Sequence, residues 1–462
     1  MMNEIPVSRN QILNVEIIDL INNGMGLVKI DGYSIFVKNA LPLEKLKIKI
    51  TEVKKTYALA ETIEILKASP HRVILKCKIY DQCGGCNLQH LDYQYQLIMK
   101  TNFVKEQLLK ISKLNVIVND CIGMEDCWKY RSKTQVPFGV RNNKVIAGFY
   151  KENTHEIIDM DRCEIQDALA DEIVNFMKTI AQKYKIPIYN ELEHIGNLRH
   201  VIIRKAQVSN EYMVTLVTKE DKLKNEEKII SELINRFPQI KSIVQNINPK
   251  KTNTILGDYQ KVLYGKEYII DYIGDVKFAI SSKSFYQVNP VQTKVLYDQV
   301  LKYANLTGNE TIIDAYCGIG TRGLYLAKQA KAIYGVEIVS DAIKDARLNA
   351  KLNNFTNAYY EVGKAEEIIK KWQKEKIEAD IIIVDPPRKG CDSSLLNTIK
   401  EMNIPRMIYV SCDPATLARD LKNLSDTFDI IEVQPVDMFP HTSHVECVVL
   451  MSRVKNEKLR NM

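Results

Sequence analysis

The chain has 462 residues, 45% of them hydrophobic and 26% charged, with a formal net charge of +7. That length predicts roughly two to four domains, and the composition excludes a disordered or fibrous protein. Met1-Met2-Asn3-Glu4-Ile5-Pro6 opens no apolar signal segment, and no run approaches the ~20 apolar residues of a membrane span, so a cytoplasmic protein is expected. The mild basic excess permits nucleic acid binding without requiring it. Ten cysteines are too sparse for a disulfide scaffold, so any that cluster are expected to be metal ligands or catalysts.

From the N-terminus, Ile12 to Ile17, Gly26 to Ile30, Tyr33 to Val37 and Leu46 to Val53 read as short strands. With turn signals at Asn23-Gly24 and Asp31-Gly32, they predict a small β-barrel of the oligonucleotide-binding kind over residues 1–65. Lys45, Lys47, Lys49, Lys54 and Lys55, with Tyr57, read equally as a track for an RNA backbone or as a solvated strand face. Next come three close thiols, Cys77-x5-Cys83-Gly84-Gly85-Cys86. Zinc sites usually show two separated pairs, and Cys121 and Cys127 partner these three poorly. With Cys163 as a fourth ligand, the set suits a [4Fe–4S] cube, while zinc or no metal stays open. Leu97, Val104, Leu108 and Ile111 recur at helical spacing and predict one amphipathic helix over 91–112. From about 125 to 275, strands alternate with one or two helices. There, Lys129-Tyr130-Arg131-Ser132-Lys133 and the segment His200 to Lys205 are candidate RNA contacts or solvated faces. Residues 66–275 thus read as a central α+β domain, an iron–sulfur domain if the cube is right.

Residues 276–462 alternate strand and helix, with strands expected at 311–316, 332–337, 381–385, 407–411, 428–433 and 447–452. Helices fill the gaps, notably Ser340 to Leu352 with Ser340 as N-cap. That alternation predicts an α/β, Rossmann-like, mostly parallel sheet. Asp314 to Gly323 is a strand end, a glycine turn and a helix start, in which Asp314 is placed to hold an amino group. Glu337 closes the following strand, where an acid grips ribose hydroxyls. Gly318-x-Gly320-x-x-Gly323 also fits a dinucleotide loop, which keeps an NAD enzyme open. The corner Asp385-Pro386-Pro387-Arg388 favours an S-adenosylmethionine-dependent methyltransferase, where donor and acceptor often meet at such a turn. Ser411-Cys412-Asp413-Pro414 then ends a strand on a thiol, and His444-Val445-Glu446-Cys447 begins another on a carboxylate. A thiol and a carboxylate at neighbouring strand ends suit covalent attack followed by proton removal. The plainer alternative for Cys412 is a buried small hydrophobe. The helix expected after Pro414 should pull the thiol pKa down.

In this order the motifs resemble those of the bacterial RNA uracil-C5 methyltransferases, specifically the iron–sulfur members that act on 23S rRNA. The similarity runs from a TRAM-like barrel through Cys83-Gly84-Gly85-Cys86 with Leu88-Gln89-His90, and through Tyr130-Arg131-Ser132-Lys133. It continues over Phe285-Tyr286-Gln287-Val288-Asn289, the Asp314 loop, Asp385-Pro386-Pro387-Arg388, Ser411-Cys412-Asp413-Pro414 and His444-Val445-Glu446. The resemblance implies Cys412 as nucleophile and Glu446 as base. It implies Gln287, Tyr316, Glu337 and Asp385 as the residues that hold the methyl donor and target base, and Cys77, Cys83, Cys86 and Cys163 as ligands of a [4Fe–4S] cluster. The implied partners are S-adenosyl-L-methionine and 23S rRNA, with no DNA and no membrane, and the enzyme is expected to act as a monomer. Transfer RNA is the alternative substrate, since relatives without the cluster act on its T-loop. A radical methylthiotransferase would instead carry a Cys-x3-Cys-x2-Cys triad, and a non-catalytic RNA-binding factor with a vestigial domain would have no reason to keep Cys412, Asp385 and Glu446 together. Two positions depart from the pattern: Arg322 replaces a small or apolar residue, and Leu43 replaces a glycine.

Overall fold

Lys45–Val53 alternates polar residues with aliphatic ones, so Leu46, Ile48 and Ile50 turn inward and are fully buried while Lys45 stays exposed. The computed structural model describes residues 5–454. In it this strand belongs to a six-stranded sheet ordered Ile12–Glu16, Lys45–Val53, Tyr57–Lys67, Tyr33–Val37, Gly26–Ile30, Asp19–Leu20. The two edge strands are consecutive in the chain. Ile17 N–H bonds to Glu44 C=O and Ile18 N–H to Leu27 C=O, so the sheet closes on itself as a barrel. Asp31 (φ 49°) and Gly32 (φ 82°) are both left-handed, which makes the type I′ turn their sequence signals. Tyr57–Lys67 is a strand that the pattern does not mark, because its outer half is exposed on both faces. It changes the meaning of the lysines. Lys47 sits opposite Glu64 and Lys49 opposite Glu61, so acids interrupt the cationic face.

Leu43 stands at φ 71° and is 54% exposed. A left-handed leucine carries roughly 1–2 kcal/mol of strain. Leu43→Gly is therefore expected to stabilise the fold by about 0.5–1 kcal/mol, after glycine's greater freedom in the unfolded chain is subtracted. A thermal melt checks this, and an unchanged or lower Tm would mean that leucine packing outweighs the strain.

The central region is a seven-stranded sheet ordered Tyr259–Gly265, Ile240–Ile247, Tyr212–Thr218, Leu198–Lys205, Lys133–Arg141, Lys144–Tyr150, Ile157–Asp159. Helices Ala168–Lys183 and Glu226–Arg236 cover it and bury Ile173, Met177 and Leu233 against Val136, Val214 and Leu216. A hairpin of Tyr268–Ile273 and Val276–Ser281 follows.

The expected helix runs over Tyr93–Gln107 and continues as a π-helical turn, Leu108–Ser112, but it is not amphipathic as the apolar spacing suggested. Asp92 caps it by accepting the Gln94 and Tyr95 N–H groups. Its buried face carries Gln96, Lys100 and Thr101 beside Val104. Lys100 is fully buried and pairs with the equally buried Asp437 at 2.6 Å, which pins the helix to the loop before Glu446.

The last sheet is ordered Ala358–Val362, Ala332–Glu337, Thr311–Ala315, Ile381–Val384, Arg406–Ser411, Glu446–Arg453, Phe428–Val436. The first five strands are parallel, and Glu446–Arg453 runs antiparallel to both neighbours. All six expected strands are present, and Ala358–Val362 is an added edge strand. Ser340 is already helical rather than an N-cap. Val339 holds the cap position without a side-chain bond, and Glu337 Oε1 accepts its N–H at 3.0 Å. No helix among the described residues is long and apolar enough to cross a membrane.

Candidate active site

Thr311–Ala315, Ile381–Val384 and Arg406–Ser411 lie side by side and parallel, so their C-terminal ends open onto one edge of the sheet. Ligands bind at that edge in open α/β folds. A cleft of about 1380 Å³ opens there, and its lining includes Gln287, Tyr316, Glu337, Asp385, Cys412 and Glu446. The six positions implied by the resemblance therefore reach one space, and Asp314 is not among its lining. Tyr316 leads into the glycine turn at φ 61°, a conformation rare for a bulky residue and typical of functional turns. Gly323 is required by packing, because a Cβ there would meet Ile333 Cγ2 at 2.9 Å and Asp314 Oδ2 at 3.0 Å.

Cys412 and Glu446 are brought together by strand register. Ser411 pairs with Cys447 across the antiparallel ladder, which sets Cys412, one residue further out, beside Glu446. Burial pushes the Cys412 thiol up to about 11, with Glu446 and Asp385 adding to the rise and Arg388 opposing it. Glu446 is 5% exposed, and burial, reinforced by Asp385, lifts its carboxyl to about 8. In the free protein at neutral pH the cysteine is thus a thiol and the glutamate mostly an acid.

The expectation that a helix end lowers the thiol pKa is overturned. The Pro414–Leu424 helix does begin there, but Asp413 Oδ1 already accepts its Ala415 and Thr416 N–H groups at 3.0 and 2.9 Å. A carboxylate occupies the positive end, and the carboxylates around the thiol act in the opposite sense.

Asp314 does not serve the role expected of it. It is fully buried, with Oδ1 taken by Arg322 Nε at 3.0 Å and Oδ2 by Gly323 N–H at 3.1 Å. Arg322 also reaches Asp385 Oδ2 through Nη1 at 2.6 Å. The departure seen in the sequence is therefore an ion-pair bridge and leaves the first helical turn intact.

The tRNA (uracil-5-)-methyltransferase family profile matches residues 92–454, and the TRAM domain profile matches residues 6–63. The chain belongs to the tRNA (uracil-5-)-methyltransferase family. It is 54% identical to an uncharacterized RNA methyltransferase of Bacillus cereus, over 97% of this chain and 98% of that protein. It is 46% identical to one of Clostridium tetani, over 99% and 100%. The crystal structure of Pyrococcus abyssi tRNA (uracil-54, C5)-methyltransferase in complex with S-adenosyl-L-homocysteine superposes with a TM-score of 0.77. It is 30% identical, over 95% of this chain and 99% of that one. The protein is thus an S-adenosylmethionine-dependent RNA methyltransferase of the uracil-C5 class and not an NAD enzyme.

Further residues line this family member's cleft: Phe285, Arg388 and His444 stand inside the sequence motifs without an assigned role, and Phe439 lies outside any motif. Phe285 is 73% exposed at its wall. The candidate RNA contacts of the central region are corrected in part. Tyr130 is buried and donates to Pro440 C=O at 3.2 Å, and Arg204 is buried and donates to Ser284 C=O at 2.5 Å. Their cationic and aromatic pattern serves domain packing.

Cys77, Cys83, Cys86 and Cys163 line a second cavity of about 440 Å³, whose wall also carries Arg131 and Lys133. Among the described residues no group of three or more His, Cys, Asp or Glu is arranged to hold a metal ion. Cys121 lies elsewhere, buried in the core beside the Tyr93–Gln107 helix. Next to Cys86, the Asn87 and Leu88 N–H groups both bond to His441 C=O, at 3.1 and 3.0 Å. Asn87 Oδ1 accepts the Ser443 N–H at 2.9 Å, and its Nδ2 donates to Asn23 C=O at 2.7 Å. One asparagine thereby joins the cysteine segment to the barrel and to the loop that delivers His444 and Glu446.

Proposed function

We propose that this enzyme methylates C5 of a uridine in 23S rRNA through a transient bond between Cys412 Sγ and uracil C6. The observation that carries the reading is the Cys412–Glu446 pair, set side by side by strand register in the cleft that Asp385, Glu337, Tyr316 and Gln287 also line. Uracil C5 is too weak a nucleophile to take a methyl group from a sulfonium unaided. Addition of the Cys412 thiolate to C6 moves the ring electrons onto O4 as an enolate, and C5 becomes carbanion-like. C5 then displaces the methyl group, and the sulfonium leaves as neutral S-adenosylhomocysteine. Glu446 removes the C5 proton, the electron pair restores the C5–C6 double bond, and the thiolate departs.

The resting pair must first be deprotonated for this sequence to run: the Cys412 thiol and the Glu446 carboxyl each release a proton to solvent as the donor binds. A sulfonium bound next to Cys412 and Glu446 adds the positive charge that favours both anions. A uracil inside a duplex is not reachable from both faces, so an unpaired or flipped base is required, at a few kcal/mol. A ribosomal substrate places the enzyme in the cytoplasm.

Transfer RNA is the second reading, favoured by the Pyrococcus abyssi structure, whose own substrate is tRNA uracil-54. Mass-spectrometric mapping of 5-methyluridine in both RNAs of a deletion strain decides. Loss of a mark from 23S rRNA alone supports the proposal, loss from tRNA alone moves the substrate, and loss from neither removes this function.

The four clustered cysteines fit a [4Fe–4S] group by donor type, since such clusters take four thiolates. They share one cavity, and Arg131 and Lys133 on its wall offset the charge of thiolate ligands. A single zinc ion would need its donors converged at ~2.3 Å on one point. When bound, the cluster would brace the Asn87 contacts that hold the Glu446 loop. Methyl transfer moves no net electrons, so its part is structural. Anaerobically purified protein is expected to carry about four irons per chain. Cys163→Ser should lose them and Cys121→Ser should keep them, and iron retained in the Cys163 variant would assign the fourth ligand to another cysteine.

A further inference from the structure

Asp314, Glu337, Asp385 and Glu446 crowd one edge of the last sheet, and Arg322 is the buried cation among them, 4% exposed. Each of its three guanidinium nitrogens donates a hydrogen bond. Nε and Nη2 both donate to Asp314 Oδ1, at 3.0 and 2.5 Å, and Nη2 also reaches Ala315 C=O at 3.3 Å. Nη1 donates to Asp385 Oδ2 at 2.6 Å. The two acids it bridges differ in kind. Asp314 has both oxygens engaged and is sealed from solvent, so it cannot touch a ligand. Asp385 keeps 29% of its side-chain surface exposed and lines the cleft.

We infer that Arg322 is a positioning residue of the methyl-donor site, anchored by Asp314 so that its free arm fixes the Asp385 carboxylate toward the cleft. The inference rests on the reading of Asp385 as a donor-binding residue. An aspartate held by one oxygen loses its freedom to rotate, and its other oxygen is presented in a set direction. Charge acts in the same sense. Enclosure holds the Asp385 carboxyl above its ordinary range, and Arg322 is the cation that opposes this. Without it Asp385 would share its surroundings with Asp314 and Glu446 and take up a proton more readily. A lysine cannot substitute fully, because one ammonium lacks the planar fork that spans two carboxylates.

Arg322→Met alone leaves Asp314 buried and unpaired, which threatens folding. The test therefore uses the double variant D314N/R322M in the full chain, where the amide oxygen of residue 314 still accepts the Gly323 N–H. S-adenosylmethionine affinity is measured by calorimetry as a function of pH, because a raised carboxyl makes binding pH-dependent. The double variant is expected to melt close to wild type yet bind the donor roughly ten- to a hundredfold more weakly, the worth of one hydrogen bond to a charged group. Its affinity should recover as the pH rises and Asp385 loses its proton, a dependence that the wild type shows less. R322K should lose affinity in the same direction by a smaller factor. Wild-type affinity and pH profile in the double variant would reduce Arg322 to a counter-ion for Asp314. D385N separates the underlying reading. Wild-type binding by D385N overturns the donor role of Asp385, whereas weakened D385N with an unaffected double variant overturns the role of Arg322 alone.

Discussion

Replacing Cys412 by alanine is expected to bring methyl transfer down to background while S-adenosylmethionine binds almost as before. The thiol acts on the acceptor base, and the donor is held by other parts of the cleft, so the two measurements should separate. Without the thiolate C5 has no route to carbanion character, and the loss should reach roughly four orders of magnitude, as when a covalent nucleophile is removed from a preorganised site. Folding should change little, because the Cys412 side chain is half-buried at the strand end and outside the hydrophobic cores. Turnover above about one per cent of wild type, in a radiolabelled-methyl assay, is more than loss of a covalent route allows.

Glu446→Gln should stop the same reaction one step later. Addition to C6 and methyl transfer proceed, but the proton stays on C5 and the thiolate cannot be expelled. A covalent protein–RNA species should accumulate and survive a denaturing gel. If methylated RNA is released at the normal rate without that band, the base is another group. The substitution should also stabilise the protein, with a definite pH dependence. The folded-state carboxyl sits near 8 against an ordinary value of 4.5, so the folded protein keeps a proton that the unfolded chain releases. Stability from that proton is fully present below about pH 4.5 and is lost as the pH rises through about 8. Glutamine, neutral throughout, does not lose it. The variant should match wild type near pH 4.5 and exceed it by about 3–5 kcal/mol at pH 8 and above. Paired thermal melts across that range check the sign.

What the sequence made legible was local. The Asp31-Gly32 turn, the alternation in Lys45–Val53 and the β-rich runs before Asp314, Asp385 and Cys412 each carry their signal within a few residues. The placement of Cys412 and Glu446 at neighbouring strand ends was legible because each closes or opens an apolar run, and those two strands pair directly. What escaped depends on distance in the chain. Lys100 looks like one more surface lysine until Asp437 meets it inside the protein. Arg322 looks like a misfit in a glycine loop until two strand ends bring Asp314 and Asp385 to its fork. The direction of the Cys412 shift was misjudged because the helix end was visible in Pro414, while the cap on it and the surrounding carboxylates were a matter of tertiary placement. Tyr57–Lys67 was missed because a strand with an exposed outer half has no apolar face to announce it.

The covalent step through Cys412 is the centre of this account, and RNA carrying 5-fluorouridine at the target position tests it most directly. Fluorine at C5 cannot be removed as a proton, so the full-length enzyme, given that RNA and S-adenosylmethionine, should halt as an adduct that is methylated at C5 and bonded through C6. Tandem mass spectrometry of the digested adduct is predicted to find the nucleotide on Cys412 and nowhere else. Attachment to a different residue, or no adduct under conditions where the matching uridine RNA is methylated, would contradict the mechanism.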